Sequence, residues 1–140
     1  MREIKFRAWI ENRKLMGPVL AIRFSREGVY QVNMKDETGF EWQTGAILLQ
    51  FTGLTDRHGK EIYEGDILKL DGGGEQEPLL PVEWNPTAAQ WSVRAPWLKD
   101  GPQPLVPLEA YIDMPFCKVE ILGNLYEHPH LLQARPTPGG

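Results

Sequence analysis

LLQFTGLTDRHGKEIYEGDILKL, residues 48–70, reads as strand, turn and strand. Ile47 to Phe51 is an apolar run long enough for a buried strand and too short for a helix. Asp56-Arg57-His58-Gly59 places Asp at the first position of a type I turn and Gly at the fourth. Gly59 takes positive φ at no steric cost, as a hairpin with a bulged exit requires. Gly65-Asp66 forms a second tight bend and launches Ile67 to Leu70 as the next strand. Asp56, Gly59, Gly65 and Asp66 are therefore expected to be structural turn residues, and Gly123 likewise near the carboxy terminus.

Outward from this stretch the pattern stays β-rich. Ile4, Phe6, Ala8 and Ile10 alternate with Lys5, Arg7 and Trp9, the period of a half-buried strand. That register sends Lys5, Arg7 and Trp9 outward or into an interface, where two cations beside an indole could stack on a planar ring. Packing of Trp9 against a neighbouring sheet is the competing reading. Leu15 to Phe24 is expected as the return strand, interrupted at Gly17-Pro18, with a turn at Arg26-Glu27-Gly28 and a strand over 29–32. Residues 35–45 read as a polar loop packed by Phe40 and Trp42. Residues 118–122 alternate as a core strand, and His128-Pro129-His130 opens a short carboxy-terminal helix. The expected fold is mainly β, with a β-rich α+β character: a small twisted barrel with SH3-like elements, or packed antiparallel sheets. One domain is expected over 1–132, followed by a disordered tail at 133–140.

Between the strands lie two irregular regions. Residues 71–78 carry three consecutive glycines and read as flexible. No Lys, Ser or Thr follows the glycines, and Glu75 and Glu77 would repel an anion, so a phosphate-binding loop is rejected. Residues 78–117 form a Pro- and Trp-rich insertion with short strands at 81–84 and 90–95. Trp84, Trp91 and Trp97 make it either a recognition surface or a small local core.

Three blocks carry a resemblance to a known family. The run QFTGLTDRHGKEIYEGDIL (50–68) resembles the signature segment of the YopX family, small proteins encoded mostly by phages and prophages. MREIKFRAW (1–9) resembles the family's amino terminus. VEILGNLYE (119–127), with Pro129 and Leu131-Leu132 beyond it, resembles its carboxy-terminal motif. Where the family has an acidic residue after Trp9, this chain has Ile10, so no role for an acid transfers there. The resemblance implies a phage setting and the host cytoplasm. It implies no reaction.

Composition narrows the function classes. A chain of 140 residues, 41% hydrophobic, is an ordinary globular one rather than a disordered one. Cys117 is the one cysteine, which excludes an internal disulfide and fits a reducing compartment. No stretch reaches membrane-spanning length. Residues 1–35 hold eight Lys/Arg and three Asp/Glu, whereas 36–140 hold seven and sixteen. This asymmetry fits attraction within one fold or between subunits, and a homo-oligomer is expected. His58, His128 and His130 lack a completing Cys or acidic cluster, so neither a metal nor another cofactor is expected. Glu61, Glu64 and Asp66 crowd a turn rather than a cleft, and no nucleophile–His pair is recognisable.

A binding protein rather than an enzyme is the expectation, its partner a host protein in defence or replication. The candidate binding residues are Lys5, Arg7, Trp9, Trp84, Trp91 and Trp97. Two alternatives remain: a nucleic-acid regulator using Arg2, Lys5, Arg7, Arg13, Lys14, Arg23 and Arg26, and a binder of a small nucleotide stacked on Trp9 or Trp84.

Overall fold

The computed structural model describes residues 3–28, 30–36, 39–71, 79–94, 104–114 and 117–133. Arg2, residues 72–78 of the Gly-rich segment, Trp97 and the tail from 134 lie outside the described residues. In chain order the elements are β1 (Phe6–Ile10), a 3-10 turn (Glu11–Arg13), β2 (Leu15–Phe24), β3 (Tyr30–Asp36), β4 (Gly39–Thr44), β5 (Ile47–Thr55), β6 (Glu61–Tyr63) and β7 (Asp66–Asp71). Then follow β8 (Leu79–Pro81), β9 (Glu83–Asn85), β10 (Gln90–Arg94), β11 (Leu105–Pro107), α1 (Leu108–Ile112), β12 (Lys118–Asn124) and α2 (His130–Gln133). The fold is mainly β, in antiparallel sheets, and among the described residues no barrel closes. The chain divides into two compact units, 1–51 and 52–140, and β5 runs through the boundary.

In the first unit the strand order is β4-β3-β2-β1-β5. β1 pairs with β2 on one side and β5 on the other. Ala8, Trp9 and Ile10 are buried in succession, and successive side chains point to opposite faces, so both faces of this part of β1 are covered. Trp9, readable as facing outward or as packed within the protein, is 2% exposed, in line with the packed reading. Alternation left that choice open, because it separates a buried from an exposed face only where one face meets solvent.

β2 is continuous through Gly17-Pro18, where an interruption was expected. Its first half pairs with β1 and its second half, from Val19, with β3. Pro18, opposite Arg7, is the last residue paired with β1 before the exchange. A register shift between Val19 and Ala21 inserts Leu20 as an extra residue. The bulge lets Val19 and Ile22 both pack on the core of Ala8, Ile10, Val32, Met34 and Ala46. Residues 39–44, expected as loop, are strand β4, held along β3 from Gln31↔Thr44 to Asp36↔Gly39. Two turn-rich flanks disguised a six-residue strand.

The second unit holds two three-stranded sheets, β12-β7-β8 and β11-β10-β9, while β6 pairs with the later part of β5. Its core gathers Ile62, Leu68, Leu70, Leu80, Val82, Val93, Leu108, Tyr111 and Val119. Each such fully buried aliphatic side chain contributes about 1.5–3 kcal/mol relative to exposure. Residues 105–112 form β11 and, directly after it, α1. Cys117 packs against this core, half-buried. Among the described residues no helix is long and apolar enough to cross a membrane.

Candidate functional site

The polar residues of the central stretch close on the backbone. Asp56 is buried, and its Oδ1 accepts the N–H groups of His58 and Lys60 at 2.9 Å each. Its Oδ2 accepts the N–H of Ile121, on β12 and 65 residues away, at 3.1 Å. Burial alone would raise the carboxyl; the N–H groups of Ile121, Lys60 and His58 outweigh it and hold it below the usual carboxylate range. Asp66, 1% exposed, accepts the Tyr63 N–H at 2.7 Å through Oδ2. The backbone at Gly65-Asp66 exchanges bonds with Val82 and receives the Leu125 N–H. Asn124 accepts the N–H groups of Tyr126 and Glu127 on its Oδ1. Beside it, the His128 ring lies so close to Gly123 that an added Cβ would sit 2.6 Å from Nδ1. Gly59 and Gly65 have φ of +77° and +85°, as the turns demand. Asp56, Gly59, Gly65, Asp66 and Gly123 thus hold β5–β6, β7–β8 and β12 together.

The amino-terminal candidates are not one free surface. Trp9 donates Nε1–H to Glu11 at 2.5 Å, and Glu11 also accepts from Lys14. The Lys14 bond first, then that of Trp9, holds the Glu11 carboxyl below its ordinary value. Lys5 pairs with Glu3 at 3.0 Å and reaches over the Phe51 ring at 5.4 Å. Arg7, on β1 between them, is half-buried.

In the second unit Trp84 and Trp91 are directly opposite on β9 and β10, in edge-to-face contact at 4.8 Å between ring centroids. Trp91 packs against the unit's core, and Trp84 rides on it, 41% exposed. The turn between them is held by Asn85 Oδ1, which accepts the N–H groups of Thr87 and Ala88. The pair is therefore an outgrowth of the core with one exposed ring.

The outward face of β2–β3–β4 is the arrangement that the sequence reading missed. The register aligns Arg23, Gln31 and Thr44 in one row, and Ala21, Asn33 and Trp42 two residues along. Side chains alternate, so with Val32 and Met34 buried these rows share the opposite face. Arg23 donates Nε–H to Gln31 Oε1 at 2.7 Å, and Gln31 donates Nε2–H to Thr44 Oγ1 at 2.9 Å. The Arg23 guanidinium lies over the Trp42 ring, 4.2 Å from its centroid. At this end of the sheet a groove of about 240 Å³ is lined by Arg23, Phe24, Ser25, Gln31 and Thr44. Phe24 is 70% exposed. Polar–apolar–polar alternation is present at Gln31-Val32-Asn33, but Trp42-Gln43-Thr44 puts a polar residue on the inner face, and reading 35–45 as loop removed the third strand.

Comparison with known proteins bears on which of these features the fold shares. The family profile described as YopX protein matches residues 5–133. The chain belongs to the YopX family. Its fold resembles that of protein yopX from Bacillus subtilis, with a TM-score of 0.61 at 18% identity, covering 91% of this chain and 96% of that one. It also resembles protein EF1440 from Enterococcus faecalis, with a TM-score of 0.52 at 22% identity, covering 94% and 99%. Curated proteins provide no match. The YopX match runs through both compact units, and the blocks that carried the resemblance include Asp56, Gly65, Asp66, Gly123 and Asn124. In this YopX-family protein those residues secure strands to one another. Among the described residues, no group of three or more His, Cys, Asp or Glu is placed to hold a metal ion.

Proposed function

We propose that this YopX-family protein is a phage accessory protein that acts by binding a protein of the bacterial host, without catalysing a reaction. The observation that carries this reading is the outward face of β2–β3–β4, with Arg23 over a partly exposed Trp42, and an exposed Phe24 lining the groove at the end of that sheet. Trp and Arg are the side chains that dominate binding energy at protein interfaces, because they bury large area with oriented hydrogen bonding. The alternatives have less support. Lys5 and Lys14 are paired with Glu3 and Glu11, which reduces the positive field a nucleic acid would need. The 240 Å³ groove is smaller than the ~300–1,000 Å³ pockets that enclose small ligands.

Native mass spectrometry on protein purified gently from a bacterial host tests this. The expected result is a protein-sized mass excess that disappears in a Phe24→Asp/Trp42→Asp variant. An excess of nucleotide size, or heterogeneous nucleic acid, would replace the proposal with one of the alternatives.

A further inference from the structure

We infer that Arg23 is a preset seat for a carboxylate on the partner, an Asp or Glu side chain flanked by an apolar residue. The inference rests on the protein-binding reading above and specifies its chemistry. Three contacts fix the guanidinium before any partner arrives. Its Nε is committed to Gln31, Gln31 is committed to Thr44, and its plane lies over the Trp42 ring. What remains is the end of the guanidinium that carries both Nη atoms, for which no acceptor exists among the described residues. Two parallel N–H groups at that end match the two oxygens of a carboxylate.

An arginine on an exposed strand ordinarily loses rotamer freedom when it binds, and that cost subtracts from affinity. Here the ladder and the ring have already restricted it. Charge points the same way, since Arg23 has no ion-pair partner among the described residues and its hydrogen-bond acceptor, Gln31, is neutral. The groove beside it is wide enough for one side chain, and exposed Phe24 in its lining favours an apolar neighbour to the acid. Phosphate would satisfy the same fork, but a single guanidinium without further unpaired cations in the groove is a weak site for a polyanion.

The test is selection of a phage-displayed random twelve-residue peptide library on the full-length protein, followed by titration of a synthetic enriched peptide. The enriched peptides are expected to carry Asp or Glu beside an apolar residue. The synthetic peptide should bind Arg23→Gln and Arg23→Lys at least about tenfold more weakly, as loss of a charge-assisted pair predicts. Its Asp→Asn or Glu→Gln version should lose as much on the wild type and nothing more on Arg23→Gln. Thr44→Val, which frees Gln31, should weaken binding about threefold without moving the thermal midpoint, a signature of a positioning residue.

Enriched peptides without an acid, or equal binding to Arg23→Gln, would overturn the carboxylate seat. So would a failure to enrich any peptide. In each case the protein-sized excess in mass spectrometry would still be expected, so the seat fails without the binding reading. Tight, steeply salt-dependent binding of a 5′-phosphorylated oligonucleotide, lost in Arg23→Gln, would overturn both.

Discussion

The Asp56 tether and the Arg23 ladder each join three segments of chain through polar side chains, and they are built in opposite ways. Asp56 is buried, ionised, and closed on three backbone N–H groups. Arg23 is exposed and reaches other side chains, with one end of the guanidinium left over. The first arrangement fixes strand positions and has no capacity to spare. The second fixes a side chain and keeps capacity for something else. A polar residue in a dense motif is thus no guide to binding; what matters is whether its hydrogen-bonding atoms are already used.

The sharpest break of the comparison is at Asp56. Replacing it with Ala leaves three N–H groups without their acceptor, and should cost about 3 kcal/mol or more in urea unfolding. Asp56→Asn should cost less, about 2 kcal/mol, because an amide keeps one acceptor oxygen but turns an NH2 toward the Ile121 N–H. The folded carboxyl lies below its unfolded value, so its stabilising effect is present above about pH 4 and fades as pH falls through the folded value. Asp56→Asn should flatten the acid side of the stability profile in that window. An unchanged acid limb would show that the carboxylate is not what ties the turn to β12.

The tryptophan pair offers a second contrast within one contact. Trp91→Ala should destabilise by about 2–3 kcal/mol, since Trp91 belongs to the core of the second unit. Trp84→Ala should cost about 1 kcal/mol, the value of an edge-to-face contact and partial burial. Equal effects, read by thermal unfolding, would mean that Trp84 is as structural as its neighbour.

Gly123→Ala should cost about 2 kcal/mol, because the new methyl meets the ring of His128. The Gly123→Ala/His128→Ala double variant should cost less than the two single effects together, a coupling measurable by a double-mutant cycle. The smallest effect belongs to the other region. Arg23→Gln should change stability by less than about 0.5–1 kcal/mol, the range of an exposed cation–π contact. A larger loss would make the ladder part of the scaffold and erase the distinction between the two regions.

The central hairpin was legible from 48–70 alone. Its turns follow from Asp and Gly chemistry acting within four residues, and its strands from local apolar runs. The bond from Asp56 to Ile121 was not legible, since nothing in either segment names a partner 65 residues distant. The place of Trp9 stayed open between an outward and a packed position for a related reason. Its alternation with Phe6, Ala8 and Ile10 describes a strand correctly, but whether one face or both are covered depends on what packs over the sheet, and Ala8, Trp9 and Ile10 are buried in succession. β4 was lost because its six residues sit between turn-forming flanks, and pairing with β3 decides what propensity leaves ambiguous.

By itself the sequence determined the β-rich class, the turns, the family and the roster of polar residues. These depend on interactions within a few residues, or on patterns retained along the chain. Only the tertiary structure decided which polar atoms are used up and which remain available. That depends on register: Gln31 lies between Arg23 and Thr44 because three strands align there, and a shift of one residue would turn all three toward the core.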